Sequence, residues 1–307
     1  MNVLVTGGAG FIGSHIVDEL LNINANVTVV DNLSSGSLSN LPSDLLETGN
    51  IKFYKKDILS DDLYEVFEAD RPQYVIHLAA QTSVVRSIEN PIFDAQMNIV
   101  GSAKLMELCK EYQIKKFLMA STAAVYGKPQ YLPIDENHPT EPISYYGLSK
   151  LTMEKYVQLS EVPYLIFRFS NVYGERQSSS KESGVISIFN DKMLKKEPIN
   201  IYGDGSQVRD FVYVKDIAKV CVSSLRRDDL YNQVINYSSN KGITINELFK
   251  LMKDVYSYEL EATYLEERKG DIKESLLSNK KTFDLISNIT LTDLNSGIVA
   301  LKNSYSN

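Results

Sequence analysis

Tryptophan is absent from this 307-residue chain, and cysteine and histidine are scarce: Cys109 and Cys221, and His15, His77 and His138. Two thiols, both in stretches that read as helices, exclude a disulfide framework or a zinc site and fit a reducing compartment. Three histidines in no ligand spacing exclude a dedicated metal site. Long hydrophobic runs are missing too. Apolar stretches are short and broken by glycine or charge, so neither a cleavable signal nor a membrane span is expected, and the expected location is cytoplasmic. Positive charge is in deficit, with a formal net charge of −7. That opposes nucleic-acid binding, for which a basic face is the usual electrostatic footprint. An anionic substrate is still allowed, because a diphosphate needs only a few local arginines and helix ends, and repulsion is screened beyond ~8 Å at physiological salt.

The 43% hydrophobic content can bury a large core, and the length suits one big domain or up to two ordinary ones. The most informative run is Val3-Leu4-Val5-Thr6-Gly7-Gly8-Ala9-Gly10-Phe11-Ile12-Gly13-Ser14, an apolar strand feeding a glycine-dense turn that opens a helix. Gly8, Gly10 and Gly13 satisfy GxGxxG, and Gly7, Gly10 and Gly13 the wider GxxGxxG. Glycine thus stands where a tight turn or close phosphate approach excludes a Cβ, and the helix N-terminus beyond offers N–H groups to a dinucleotide pyrophosphate. A second strand ends on Asp31, at the spacing expected for the residue that binds an adenine ribose.

Strand patterns recur at 2–6, 26–30, 52–54, 74–77, 116–120 and 164–168, mostly with helical stretches between them. That alternation predicts an α/β fold with a doubly wound parallel sheet, a Rossmann arrangement, and a smaller α/β substrate-binding domain. Helices are expected at 14–21, 63–68, 91–112 and 145–159. We assign residues 1–173 to a dinucleotide-binding domain and 174–307 mostly to a substrate domain, with a segment near 206–240 returning to the first. In such sheets ligands bind beyond the carboxyl ends of the strands, where Asp31, Asp57, His77 to Gln81, Ser121-Thr122 and Ser170-Asn171 lie. Beyond Ser275 the pattern is weak.

Tyr146 and Lys150 are four apart, which on a helix puts both on one face. A tyrosine is a poor base at neutral pH, but a nearby cation favours the phenolate, the tuning that general acid/base work requires. Alone, such a pair is a common surface arrangement.

Its companions give it weight. TGGAGFIGSH, VVDNLSSG (29–36), KDI (56–58), HLAAQ (77–81), STAAVYG (121–127), YYGLSK (145–150), RFSNVYG (168–174), GDGSQVRDFVYVKD (203–216) and RKGDI (268–272) occur in order along most of the chain. In these motifs the chain resembles the extended short-chain dehydrogenase/reductase family, in particular its nucleotide-sugar 4-epimerases. The resemblance implies Tyr146 as catalytic base, Lys150 as its tuning cation and a ligand of the nicotinamide ribose, and Thr122 as the hydroxyl that bonds the reacting sugar oxygen. It implies NAD bound by Gly7, Gly10, Phe11, Ile12, Gly13, Asp31 and Asn32, by Asp57 and Ile58 beside the adenine, by the backbone of Leu78, Ala79 and Ala80, and by Tyr146 and Lys150. NAD is favoured over NADP because an anionic Asp31 can accept from ribose hydroxyls and not from a ribose phosphate. Asn171, Arg209 and Arg268 are the expected ligands of a UDP-sugar diphosphate, two guanidinium forks matching phosphate oxygens. Surface pairing of Arg209 with Asp210 and of Arg268 with Asp271 is the plain alternative.

Related 4,6-dehydratases carry an Asp-Glu pair directly after the threonine, where this chain has Ala123-Ala124, which can neither protonate nor deprotonate a sugar. The expected reaction is therefore reversible C4 epimerisation of a UDP-hexose through a 4-keto sugar, with UDP-glucose/UDP-galactose foremost and the N-acetylated and uronic pairs open. A keto-sugar reductase and a non-catalytic dinucleotide sensor are the alternatives. Helices beginning at Pro91 and Tyr145 are expected to pair in a homodimer, as the family's often do.

Overall fold

Seven strands form the central sheet of the computed structural model, which describes residues 1–178, 184–267, 272–287 and 289–305. Six follow the chain: β1 (Asn2–Thr6), β2 (Asn26–Val30), β3 (Ile51–Tyr54), β4 (Tyr74–His77), β5 (Lys116–Thr122) and β6 (Tyr164–Phe169). The seventh, Gln233–Tyr237, closes the edge beside β6. Across the sheet the order is Gln233–Tyr237, β6, β5, β4, β1, β2, β3. The chain therefore winds outward from β1 through β2 and β3, then returns to β4 on the other side of β1. Strand order reverses between β1 and β4, and the carboxyl ends of those strands are where such a sheet opens a ligand crevice.

The sequence explains why these segments are strands. Val3, Leu4 and Val5 are buried, as are Val27, Val29 and Val30, and helices cover a parallel sheet on both faces, so strands read as continuous apolar runs. Leu4, Phe67, Val75, Leu105, Phe117 and Ile166 belong to one buried cluster that joins sheet and helices. The helix Tyr145–Leu159 starts where the Ser144 side chain accepts a hydrogen bond from the Gly147 N–H.

One expected helix differs in detail. The stretch from Pro91 runs as Pro91–Ala95, a π turn at Gln96–Val100, then Gly101–Glu111. Ser102 Oγ donates to the Asn98 carbonyl at 2.6 Å, and the Asn98 side chain turns inward, which a wider turn accommodates.

The chain divides into two compact units, the first made of 1–127, 139–168 and 217–235, the second of 128–138, 169–216 and 236–307. In the second unit, Val208–Tyr213 pairs with Asn171–Tyr173, Gly242–Thr244 and Glu274–Ser275. A separate parallel pair joins Asn200–Tyr202 to Thr263–Leu265. Its helices include Val185–Lys195, Ile245–Tyr256 and Leu294–Asn303, the second opened by a Thr244/Glu247 capping box. Lys280–Leu285 and Leu294–Asn303 give helical structure to the weakly patterned C-terminal stretch.

Candidate active site

The glycine loop after β1 is built by close approach. Gly7 has φ +71°, and a Cβ there would lie 2.7 Å from the Ala79 nitrogen, so only glycine lets the Leu78-Ala79 backbone pass beneath the loop. At Gly13 a Cβ would sit 2.1 Å from the Gly7 carbonyl oxygen, which brings the helix Phe11–Asn22 hard against the turn. Gly10 caps that helix without any side-chain acceptor, and no acidic residue stands in the first turn. The first-turn N–H groups, including those of Phe11 and Ile12, and the positive dipole end are left to an anion.

Asp31 follows β2 and is buried, with Oδ2 accepting from the Ala9 N–H at 3.0 Å and Oδ1 from the Leu33 N–H at 2.8 Å. A carboxylate has about four acceptor positions, so two remain for a pair of ribose hydroxyls. Asn32 donates to Asp57 Oδ2 at 2.7 Å, and Leu59 donates its N–H to Asp57 Oδ1 at 2.9 Å. Ile58 is buried against Gly101. Leu78 and Ala79 both donate to the Thr6 carbonyl at 3.1 Å, and Ala80 continues their loop. The residues around this crevice thus fit a dinucleotide: an uncapped helix end, a buried acid with spare acceptor capacity, and a buried cation described next.

Thr122 ends β5, and its Oγ1 accepts from the Ala124 N–H at 3.2 Å. The Tyr146 phenol faces the Thr122 hydroxyl. Lys150, one turn on, is buried, and among the described residues no oxygen takes a hydrogen bond from its ammonium. An unpartnered buried cation beside a phenol is what a ribose hydroxyl could satisfy. Burial depresses Lys150 to about 8, with the charges of Glu154 and Asp94 opposing that fall. The phenol departs from expectation. Instead of being depressed by the lysine, Tyr146 lies above its ordinary value, chiefly through burial and partly through the Asp94 charge, while Thr122 pulls it down. In a poorly hydrated site, loss of solvation outweighs a cation one helical turn away. His77 at the end of β4 is driven to about 3 by burial and by the Lys150 charge, so it is neutral; it bonds Thr6 Oγ1 at 2.7 Å and Ser102 Oγ at 2.9 Å.

In the second unit, a cavity of about 660 Å³ is lined by Asn171, Phe189, Asn200, Tyr202, Arg209 and Phe211, among others. Asn171 Nδ2 donates to the Asp210 carbonyl at 3.0 Å, and Arg209 Nη1 to the Val208 carbonyl at 2.9 Å. The structure therefore brings two of the three expected diphosphate ligands to one cavity; Arg268 lies outside the described residues. Asn200–Tyr202 contributes a strand edge to the same cavity. Thr263 donates to the Ile199 carbonyl at 2.8 Å and Gly203 to the Leu265 carbonyl at 2.9 Å, so the backbone groups of Asn200 and Tyr202, out of phase with these, turn to the opposite edge. Missed were Asp94, Asn98 and Ser149, which with Gln81, the last of the expected His77 to Gln81 stretch, form a buried cluster behind Tyr146 and Lys150. Only the placement of Ser149 between the two catalytic candidates hinted at it.

Residues 3–237 match the model of the NAD dependent epimerase/dehydratase family. The chain belongs to that family. Within this epimerase/dehydratase group it is 44% identical over 288 residues to a putative UDP-glucose 4-epimerase of Methanocaldococcus jannaschii, covering 92% of each chain. Among solved structures, the UDP-glucose 4-epimerase of Thermotoga maritima with UDP-glucose superposes with a TM-score of 0.94 at 39% identity, covering 100% of this chain and 99% of that one. The UDP-N-acetylglucosamine 4-epimerase of Methanobrevibacter ruminantium, in complex with UDP-N-acetylmuramic acid, gives 0.93 at 39% identity, covering 99% and 98%. The family's cofactor, NAD, agrees with a loop built for close approach and with a buried Asp31. The seven-stranded parallel arrangement is the fold shared with these epimerases.

Proposed function

We propose that this protein interconverts the C4 epimers of a UDP-hexose, UDP-glucose and UDP-galactose first among them, through a 4-keto intermediate. The observation that carries the reading is the Tyr146 phenol facing the Thr122 hydroxyl, with the buried, unpartnered Lys150 one turn along the same helix, at the ends of strands whose glycine loop and Asp31 fit a dinucleotide. NAD, which the glycine loop, Asp31 and Lys150 would hold, would supply the hydride acceptor and donor for C4. Every other role falls to the chain. Tyr146 accepts the C4 hydroxyl proton and later gives it back, so the phenol works as base and then as acid. Thr122 orients the reacting oxygen. Lys150 stays protonated below about 8 and offsets the charge that develops on the phenol.

Ala123 and Ala124, after Thr122, offer no group to expel water from the 4-keto sugar, which separates this reading from dehydration. Asn171 and Arg209 of the second unit would hold the diphosphate, with Arg268 as a further candidate. The outward N–H and C=O groups of Asn200 set a donor beside an acceptor, as the pairing edge of a pyrimidine base does, which supports a uridine nucleotide; the Tyr202 carbonyl beyond them accepts from Gln207 Nε2 at 2.6 Å. Firm holding of the nucleotide and loose holding of the sugar are what inversion requires, because the ketose must present its other face while the anchor persists.

A second copy of the chain is the partner this reading favours. Val85, Ile88 and Ile92, at 51%, 59% and 71% exposure, and Leu148, Tyr156 and Leu159, at 50%, 50% and 83%, leave apolar side chains uncovered on helices of the first unit. No helix among the described residues is long and apolar enough to cross a membrane, and both cysteines are free and buried, so we place the enzyme in a reducing compartment, the cytoplasm. Incubation of purified protein with UDP-glucose and no added reductant tests the function. UDP-galactose should accumulate to an equilibrium mixture; formation of a dehydrated 4-keto-6-deoxy sugar, or no turnover across the glucose, N-acetylglucosamine and glucuronate nucleotides, overturns it.

A further inference from the structure

Behind the phenol and the ammonium lies a buried carboxylate that the mechanism does not use. Asp94 is 1% exposed and sits in the short helix Pro91–Ala95. Its Oδ1 accepts from Gln81 Nε2 at 2.7 Å and from Asn98 Nδ2 at 3.3 Å. Both donors are neutral amides, and among the described residues Asp94 forms an ion pair with no cation. A buried charge without a counterion is costly, so a cation close by is the usual compensation.

That cation is Lys150. Glu154, His77 and Tyr146 are the other titratable groups facing it, on its own helix and on β4. Glu154 is engaged by the Arg168 guanidinium through two hydrogen bonds, and His77 is neutral. Among the described residues Asp94 is therefore the one negative charge acting on Lys150 that no cation engages, and it acts on Tyr146 as well, beside Thr122.

The same carboxylate is also the end of a chain of contacts. Asn98 and Gln81 clasp each other, Gln81 N–H to Asn98 Oδ1 at 2.8 Å and Asn98 Nδ2 to the Gln81 carbonyl at 2.9 Å. Asn98 Nδ2 further donates to Ser149 Oγ at 3.0 Å, and Ser149 Oγ to the Tyr146 carbonyl at 3.1 Å. Gln81 lies one residue past Leu78–Ala80. We propose that Asp94 is a positioning residue, which locks the loop after β4 to the helix of Tyr146 and Lys150 through Gln81 and Asn98 and supplies the negative charge that faces the lysine. Buried, with Gln81 and Asn98 as its hydrogen-bond partners, it acts through those groups. The inference rests on the assignment of Tyr146 and Lys150 made above.

Asp94→Asn keeps the shape and removes the charge. The readout is the ionisation of Tyr146, followed as tyrosinate absorbance in the difference between each protein and its Tyr146→Phe counterpart, with kcat and KM on UDP-glucose measured beside it. Losing a nearby anion should move the phenol midpoint to lower pH by about half a unit or more, with kcat down about tenfold to a hundredfold and KM within about twofold. A midpoint that stays in place or moves to higher pH overturns the proposal, even where activity falls. Asp94→Glu keeps the charge and should leave the midpoint near that of the parent; a shift to lower pH there contradicts it, and this variant carries the test if Asp94→Asn does not fold. A parent protein inactive on UDP-sugars would refute the epimerase reading, while the phenol titration would still decide the role of Asp94.

Discussion

Arg168 holds Glu154 with two parallel hydrogen bonds, Nε to Oε1 at 3.0 Å and Nη2 to Oε2 at 2.6 Å, and both side chains are buried. Ser121 Oγ donates to the same carboxylate at 2.5 Å. Ser121 precedes Thr122 at the end of β5, and Glu154 lies one turn beyond Lys150, so this pair ties the strand of the threonine to the helix of the tyrosine and lysine. Breaking it by Glu154→Gln leaves a buried guanidinium without its counterion. The expected cost is about 3–5 kcal/mol, read by thermal or denaturant unfolding, with the double variant Glu154→Leu/Arg168→Met recovering much of it. A single variant as stable as the parent would show that the pair does not secure the site.

Tyr146→Phe removes one oxygen from the site and leaves the glycine loop and Asp31 intact. Turnover should fall by about 10³-fold, within the usual range for loss of a general base, while NAD remains bound in the purified protein. Its absorbance spectrum and a rate assay check both halves. A variant that turns over at the parent rate removes the phenol from the mechanism.

Activity and stability should respond to alkali in opposite directions. Lys150 is charged below about 8, so kcat/KM should decline as pH rises through that value and the ammonium is lost. In the unfolded chain lysine titrates near 10.4, so between about 8 and that value the unfolded state binds a proton that the folded state does not, and stability rises with pH. On the acid side His77, neutral down to about 3, adds the reverse loss: stability falls as pH drops below about 6.5, where an unfolded histidine takes up a proton. A pH–rate profile beside unfolding curves at matched pH checks the signs. A rate that keeps rising well past pH 8 contradicts the role given to Lys150.

Much of this architecture was legible because the physics is local. The alternation of strand patterns such as Val3–Val5 with helical stretches announced a parallel sheet, and glycines at 7, 10 and 13 marked places where the backbone must come close. The four-residue spacing put Tyr146 and Lys150 on one helical face. What escaped depends on burial and on residues distant in sequence. The phenol reads above its ordinary value since the site is poorly hydrated, which spacing cannot report. Asp94 and Asn98 look like ordinary polar residues until the turn at Gln96–Val100 brings them to Gln81. The pairing of Asn200–Tyr202 with Thr263–Leu265 joins strands some sixty residues apart.

In an epimerase of this kind one hydride leaves and rejoins the same carbon within the enzyme. UDP-glucose deuterated at C4, incubated with the purified protein and no added reductant, should yield UDP-galactose that retains the label at C4. Loss of the label to added cofactor, or net consumption of reduced cofactor for each product formed, would contradict it.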